Sequence, residues 1–354
     1  MGKGQKYHAH DYFSGSGLVS YAIANEFETV WSNDISERKA AVYRANLPSD
    51  VLHVGDVACV SGAGLPHAHL SWASFPCQDL SLAGKIEGIT APRSGLVWHW
   101  LRTIEEQEGK APRVVCAENV QGLISSHGGK EYVSLHVALA TLGYKVGAVL
   151  LNAEKWVPQS RPRVFVIGTR GDIPAELIGD GPSWMQPTAV VRAASKVNDF
   201  VWWHAPEPPK RTTFIDDIVE HGLVWNEART AELITQKHLD KFIASKRLYA
   251  TAYRRTRQGH QVTELRCDGV AGCLRTPQGG SSRQYIVKMD AETPVARLLT
   301  TREVARLMGA PDTFVLPDSY TDAYLAMGDA VAVPVASWLA KTFLLPLAEA
   351  AYDH

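Results

Sequence analysis

Short apolar runs alternate with helix-like segments over residues 1–170. The runs are rich in β-branched and aromatic residues and end in Gly, Asp, Asn or Ser, which is typical of strands. They predict strands over 8–13, 28–32, 51–54, 69–75, 113–117, 144–152 and 163–169. Longer periodic segments predict helices over 18–27, 96–104 and 133–142. This alternation predicts an α/β fold with a mostly parallel sheet.

The pattern changes from about residue 171. Prolines accumulate, and the alternation of strands with helices stops. One helix is predicted over 230–246, and a capping pattern at Thr300 and Glu303 opens another. An apolar helix is predicted over 330–347, broken early by Pro334.

Composition narrows the class of protein. With 354 residues, 45% of them hydrophobic, the chain can bury a sizeable core. The 36 Lys and Arg residues nearly balance the 37 Asp and Glu residues, so net charge gives no indication of a nucleic-acid partner. We found no stretch near the roughly 20 apolar residues of a membrane span, and we expect a soluble, cytoplasmic protein.

The cysteines are scattered, with no CxxC pair and no His partner at zinc spacing, so we expect no metal site and a reducing cytosol. They are Cys59, Cys77, Cys116, Cys267 and Cys273.

A glycine turn follows the first predicted strand. Gly15 and Gly17 stand between that strand and the first helix, where small residues let a ligand approach the backbone and the helix N-terminus. The third glycine of the dinucleotide motif is missing, which argues against a dehydrogenase.

Acidic residues end the next two strands. Asp34 follows the second strand, and a carboxylate there can accept both hydroxyls of a ribose. The alternative is a surface acid that caps the helix starting near Ser36. Asp56 follows the third strand, and two such acids after a glycine turn favour a nucleoside ligand.

Cys77 stands just past a predicted strand, directly after Pro76. Proline holds the preceding backbone extended, so the thiol is predicted to lie on a turn, as a nucleophile does. The alternative is a small buried hydrophobe. Glu118 and Asn119 end the neighbouring predicted strand, and the alternative for Glu118 is a buried acid satisfied by loop amides.

Arginines recur at two further places. Arg161 and Arg163 alternate in an extended segment, which predicts a forked donor pair suited to a base oxygen or a phosphate. A basic run is interleaved with Tyr249 and Tyr253, as in segments that bind nucleic-acid backbones, although a charge run is also typical of a solvated surface. The run consists of Lys246, Arg247, Arg254, Arg255 and Arg257.

A Gly-rich loop over 276–284 carries side chains suited to base edges. Arg283 and Gln284 are of the types that make bidentate contacts with guanine and adenine.

Together these motifs resemble, in order and spacing, those of the DNA (cytosine-5) methyltransferases of bacterial or phage type. The matching segments are 13–17, 75–78, 118–120, 159–163, 297–306 and 328–331. The resemblance implies an S-adenosylmethionine-dependent, Rossmann-like methyltransferase fold with a mixed, mostly parallel sheet and a smaller irregular domain. It implies a catalytic domain over 1–170, completed by 292–354, and a target-recognition domain over 171–291.

The resemblance also implies roles for individual residues. Cys77 would attack C6 of a flipped cytosine, Glu118 would hold its N3 and amino edge, and Arg163 its O2. Arg161 and Asn119 would support them. The residues implied to bind S-adenosylmethionine are Phe13, Gly15, Gly17, Asp34, Ile35, Asp56, Val57, Pro76, Leu96, Asp329 and Ala330. Those implied to bind double-stranded DNA are Ser81, Arg254, Arg255, Arg257, Gly279, Gly280, Ser281, Arg283 and Gln284.

Three positions depart from the family pattern. Asp329 stands where Asn is usual, Cys273 replaces Thr in a Thr-Leu pair, and Ile35 replaces an aromatic residue. These substitutions bear on cofactor binding and on one phosphate contact.

The main hypothesis is therefore a DNA cytosine-C5 methyltransferase that acts as a monomer at one sequence, with a cognate restriction endonuclease as a genetic partner. The same chemistry would serve a tRNA methyltransferase, but the recognition segment argues for duplex DNA. A catalytically silent DNA-binding relative would not need Cys77, Glu118 and Arg163 together.

Overall fold

The computed structural model describes residues 7–76, 95–275 and 283–352. These form two compact units, and both are discontinuous in sequence. The first comprises Met1–Leu151, Pro162–Glu207 and Val335–His354, and the second comprises Asn152–Arg161 and Pro208–Pro334.

The first unit is built on a seven-stranded sheet with the order β3-β2-β1-β4-β5-β7-β6. Its strands are β1 Tyr7–Tyr12, β2 Phe27–Asp34, β3 Leu52–Val54, β4 Leu70–Ala73, β5 Val114–Val120, β6 Lys145–Asn152 and β7 Pro162–Thr169. Strands β3, β2, β1, β4 and β5 are parallel, whereas β7 pairs antiparallel with β5. This mixed, mostly parallel sheet confirms the predicted fold class.

Helices of the first unit alternate with these strands. They are α1 Leu18–Ile23, α2 Glu37–Asn46, α3 Leu96–Glu106, α4 Gly122–Ser125, α5 Lys130–Thr141 and α6 Thr188–Ala194. Trp72 of β4 and Trp100 of α3 are fully buried in the core, and the Trp100 indole donates to Ser71 Oγ at 2.8 Å. The first predicted helix ends earlier than expected, because Phe27 already begins β2.

The topology determines where a ligand can bind. From β1 the chain continues to β2 on one side and returns, after β3, to β4 on the other side of β1. Chain segments leaving β1 and β4 therefore diverge, which makes the carboxyl end of these strands the expected binding crevice. The ends of β2 and β5 lie along the same edge, because all four strands are parallel.

The second unit contains a four-stranded antiparallel sheet with the order β11-β10-β8-β9. Its strands are β8 Ala250–Arg257, β9 His260–Arg266, β10 Gln284–Asp290 and β11 Thr293–Leu298. Ala252, Leu265 and Tyr285 lie on one face in a small hydrophobic cluster with Phe242. This sheet gives regular structure to a domain that the resemblance implied to be irregular.

The helices of the second unit correct one prediction. They are α7 Ile215–Ile218, α8 Ala228–Glu232, α9 Gln236–Ser245, α10 Thr301–Leu307 and α11 Tyr320–Gly328. The single helix predicted over 230–246 is two helices, and Ile234 between them forms a bridge with Thr263. The predicted cap of α10 is confirmed, because Thr300 and Glu303 form a capping box.

The C-terminal helical region also differs from the prediction. It consists of α12 Val333–Leu339, a π-helical turn Ala340–Leu344 and α13 Leu345–Tyr352. Pro334 is the second residue of α12 and does not break the helix, because a proline in the first turn costs no intrahelical hydrogen bond.

The region Tyr320–Tyr352 is long and apolar enough to cross a membrane by length and composition, with a mean hydropathy of 1.6 over its best window. The sequence pattern predicted no such stretch. Within the protein, 56% of that window is buried, which accounts for its apolar character, because core helices have the same composition.

Candidate active site

The glycine turn after β1 has a backbone that other residues would adopt only with strain. Phe13 and Gly15 both have a φ of 57°, and Gly17 has a φ of 82°. A Cβ at Gly17 would lie 2.4 Å from Leu47 Cδ1 and 2.7 Å from Tyr43 Cδ2. Glycine at position 17 is therefore required by both conformation and space.

Asp34 ties this turn to the end of β2. Its Oδ2 accepts from the Gly15 amide and its Oδ1 from the Ser36 amide, each at 2.8 Å. The cap of α2 is supplied by Ser36 itself, whose Oγ accepts from the Lys39 amide. Each carboxylate oxygen still has a lone pair for a hydroxyl donor. Ile35 beside it is 71% exposed, and so offers an apolar surface to a ligand at this edge.

Four other residues predicted to contact the cofactor lie in the first unit, three of them apolar and one acidic. Phe13, Val57 and Leu96 belong to, or pack against, one hydrophobic cluster. Asp56 is exposed, and its Oδ1 accepts from the Ala58 amide at 2.9 Å. Because the cluster joins the turn after β1 to the start of α3, these apolar side chains are positioned together.

Asp11 of β1 is a buried acid close to this turn. Ser20 Oγ donates to its Oδ2 at 2.6 Å. Burial, with a smaller contribution from the charge of Asp34, raises the pKa of Asp11 to about 7. The neutral form of Asp11 is thus favoured up to about neutral pH.

The segment that leads to Cys77 is anchored by Asn119. The Asn119 amide Nδ2 donates to the Phe75 carbonyl at 2.9 Å, and its Oδ1 accepts from the Val120 amide. Phe75 and Asn119 are both buried, whereas Pro76 is exposed. Cys77 itself lies outside the described residues.

Glu118 and Arg163 form an ion pair at the same edge of the sheet. Arg163 Nε lies 3.0 Å from Glu118 Oε1, and their side chains are 14% and 7% exposed. The antiparallel pairing of β5 with β7 sets this contact, because Val120 lies opposite Arg163. A nearly buried, charge-assisted contact fixes the carboxylate and leaves both groups at the strand ends, as a base-binding site requires.

Cys116 of β5 lies in an environment that suppresses the reactivity of its thiol. Cys116 is fully buried, and burial, with the nearby charge of Glu118, raises its pKa well above the usual range. A thiol held neutral in this way cannot act as a nucleophile at neutral pH.

Arg161 does not form a forked pair with Arg163. It is 1% exposed and belongs to the second unit, where its guanidinium donates to the carbonyls of Leu274, Gly328 and Ala330 at 2.7–2.9 Å. Its contacts fix the segment that carries Asp329. The structure therefore gives Arg161 a positioning role within the second unit.

The arginines predicted to bind DNA lie on two faces of the antiparallel sheet. Side chains alternate along β8, so Arg254 lies on the face of the hydrophobic cluster, with its guanidinium 5.1 Å from the Tyr285 ring centroid. Arg255 and Arg257 lie on the opposite face and pair with Glu264. Glu264 was not singled out from the sequence, although its place in the alternating strand β9 was the available signal.

Two further residues predicted to bind DNA are the last two residues of the Gly-rich loop. The Arg283 guanidinium lies 5.1 Å from the Tyr320 ring centroid. Gln284 is buried, and its Nε2 donates to the Gly272 carbonyl at 2.7 Å. Its side-chain amide is therefore bonded to the protein backbone. Four other predicted positions lie outside the described residues: Ser81, Gly279, Gly280 and Ser281.

Among residues 7–76, 95–275 and 283–352, one group has the composition of a metal site. His8, His67 and His69 offer nitrogen atoms within 4.8 Å of one another. His69 Nδ1 accepts from the His8 amide at 2.8 Å, so the neutral ring carries its proton on Nε2 and has no second lone pair for a metal. We therefore assign no metal to this group.

The chain is similar to known proteins over most of its length. The chain is 28% identical over 341 residues to the type II methyltransferase M.MspI of Moraxella sp., covering 95% of this chain and 70% of that protein. It is 27% identical to the type II methyltransferase M.HhaI of Haemophilus parahaemolyticus, covering 93% and 92%.

A solved structure shares the fold. The Dnmt2 methyltransferase of S. pombe aligns with a TM-score of 0.60 at 18% identity, covering 94% of this chain and 97% of that one. The family model for the C-5 cytosine-specific DNA methylases matches residues 7–344. The chain therefore belongs to the C-5 cytosine-specific DNA methylases.

Proposed function

We propose that this DNA cytosine-C5 methyltransferase acts on a flipped cytosine within one short duplex sequence, through a covalent bond between Cys77 and C6 of the base. The observation that carries the proposal is the Glu118–Arg163 pair, beside a backbone that Asn119 holds two residues before Cys77. These groups can bind one pyrimidine edge while a thiolate approaches the ring.

The cofactor residues of this chain fit S-adenosylmethionine. The Gly17 position has no room for a side chain, Asp34 presents an oriented carboxylate, and Ile35 is an exposed apolar neighbour. S-adenosylmethionine supplies an electrophilic methyl group when it is bound. We propose that Asp34 binds the ribose, that Asp56 and Val57 bind the adenine, and that Phe13, Pro76 and Leu96 complete the pocket. Asp329 and Ala330 are also proposed to contact the cofactor, as the resemblance implies.

The role of Cys77 follows from the low reactivity of cytosine C5. The thiolate forms a bond to C6, and the electrons of the C5–C6 double bond move to C5, which becomes nucleophilic. After C5 has been methylated, a base removes its proton, the double bond re-forms and the thiolate leaves. The target cytosine is extruded from the duplex before the thiolate attacks, because its C6 atom is inaccessible within the base stack.

Glu118 and Arg163 stabilise the charge that develops on the ring. Glu118 shares a proton with N3 and accepts from the amino group, while Arg163 donates to O2. Because the two side chains already contact each other at 3.0 Å, little reorganisation is needed to place both along one base edge.

We propose that target recognition lies within residues 171–291, as the resemblance implies, and that the enzyme works as a cytoplasmic monomer. The names of the relatives, type II methyltransferases, support a place in a restriction-modification system with a cognate endonuclease.

The choice of substrate is tested directly by offering two nucleic acids. The purified chain is incubated with tritiated S-adenosylmethionine and either plasmid DNA or total tRNA. Tritium in the plasmid alone is the expected result. Tritium in the tRNA alone would instead make the chain an RNA methyltransferase, and the DNA proposal would be withdrawn.

A further inference from the structure

A cluster of opposite charges lies on the exposed face of the β8–β9 hairpin. Tyr253, Arg255 and Arg257 occupy alternate positions of β8, so their side chains point to the same face. Glu264 lies directly opposite Tyr253 on β9. Four neighbouring side chains therefore share one surface, away from the hydrophobic cluster of this sheet.

Glu264 is held by all three of these neighbours. Its Oε2 accepts from Tyr253 Oη at 2.5 Å and from Arg255 Nη1 at 3.2 Å. Its Oε1 accepts from Arg257 Nε at 2.7 Å. The glutamate side chain is only 14% exposed, whereas those of Arg255 and Arg257 are 45% and 58% exposed. The carboxylate thus lies beneath two guanidiniums that reach into solvent.

The charge state of Glu264 supports a competitive role. Burial opposes its ionisation, but the hydrogen bonds from Tyr253 and Arg257 and the charges of both arginines outweigh burial and lower its pKa. Glu264 is therefore an anion at neutral pH. A carboxylate and a phosphate both match the planar donor fork of arginine, so they compete for the same guanidinium N–H groups.

We propose that Glu264 competes with DNA phosphates for Arg255 and Arg257, and so weakens binding to duplex DNA of arbitrary sequence. The inference rests on the proposed DNA-methylating function, and it assigns a specificity-determining role to a residue outside the catalytic site. Sequence-independent affinity comes mainly from phosphate contacts, so an internal anion reduces it selectively. A bound target sequence adds base contacts that Glu264 does not oppose.

The test uses Glu264→Gln, which keeps the shape and the acceptor oxygen but removes the charge. Glu292→Gln is the matched control, because Glu292 is an exposed carboxylate in the turn between β10 and β11 of the same sheet. Affinity of the full chain for a fluorescent duplex of mixed sequence is measured by anisotropy at several salt concentrations. Thermal melts confirm that each variant is folded.

We expect Glu264→Gln to bind this duplex roughly threefold to tenfold more tightly at low salt, and Glu292→Gln to bind as the wild type does within about twofold. The gain should vanish when Arg255 and Arg257 are also changed to Gln. Unchanged or weaker binding by Glu264→Gln would overturn the inference, as would a gain that survives without the two arginines.

The same experiment separates this inference from the proposed function. If the wild type binds the duplex and Glu264→Gln binds no better, DNA binding stands and the role of Glu264 is rejected. If neither protein binds DNA, while the wild type still binds S-adenosylmethionine, the proposed DNA substrate fails and the inference fails with it.

Discussion

Asn119 Nδ2 lies 2.9 Å from the carbonyl oxygen of Phe75, so the end of β5 is bonded to the backbone that leads to Cys77. Both residues are buried, which makes this contact costly to lose. Replacing Asn119 with Ala should lower kcat roughly tenfold to a hundredfold, because Cys77, the proposed nucleophile, would lose its alignment.

S-adenosylmethionine affinity should stay within about threefold of the wild type in Asn119→Ala, because Pro76 is the only proposed cofactor residue in the affected segment. Calorimetry for the cofactor and steady-state methylation on plasmid DNA measure the two effects. A matching loss of cofactor affinity, or an unchanged kcat, would show that Asn119 does not position the nucleophile.

The Glu118–Arg163 pair should be needed for chemistry more than for folding. Glu118→Gln and Arg163→Gln keep hydrogen-bonding groups but remove one charge each, so we expect kcat/KM to fall roughly 100-fold to 10,000-fold. Losses in the double variant should be far from additive, because the two residues are proposed to bind the same base. Additive losses, measured by single-turnover kinetics, would mean that they act independently.

Gly17→Ala should both destabilise the protein and weaken cofactor binding. The new Cβ would lie 2.4 Å from Leu47 Cδ1 at a φ of 82°, which should cost roughly 2 kcal/mol or more of unfolding free energy. Gly64→Ala is the control, because a Cβ there meets nothing within 4 Å. Urea denaturation compares the two variants, and equal stabilities would contradict the packing of this turn.

Asp11 should make stability fall as pH rises. Burial raises its pKa from 3.8 in the unfolded chain to about 7, so the folded state binds more protons between these values. Unfolding free energy should therefore decrease from about pH 4 to about pH 7, by roughly 4 kcal/mol from this group.

Asp11→Asn keeps an acceptor for Ser20 but cannot ionise. The wild type should therefore lose unfolding free energy as pH rises through this range, whereas the variant should not lose this contribution. Asp50→Asn, at an exposed carboxyl, should show no such trend. Urea denaturation at pH 5, 6, 7 and 8 measures both. A pH-independent difference for Asp11→Asn would show that Asp11 is not buried as a neutral acid.

The sheet of the first unit was predictable from sequence, because buried parallel strands are short apolar runs that end in polar residues. Asp34, Glu118 and Asn119 each follow such a run, and the parallel arrangement brings their strand ends to one edge. The antiparallel sheet of the second unit was missed. Its strands carry runs such as Tyr253–Arg257 that indicate a charged surface as readily as a strand.

Side-chain partners were the least predictable part of the site. Arg161 and Arg163 are two residues apart, yet one binds three backbone carbonyls and the other a glutamate. Spacing along the chain cannot distinguish these outcomes, because residues distant in sequence supply the acceptors. For the same reason the pairing of Arg255 and Arg257 with Glu264 could not be foreseen.

The most direct test of the account is bisulfite sequencing of plasmid DNA from cells that express the wild type or Cys77→Ser. Serine preserves the size of the side chain but is a much weaker nucleophile. We predict protected cytosines at one short sequence motif with the wild type and none with Cys77→Ser. Protection that persists in Cys77→Ser would contradict the covalent mechanism, and no protection from a folded wild type that binds S-adenosylmethionine would contradict the DNA substrate.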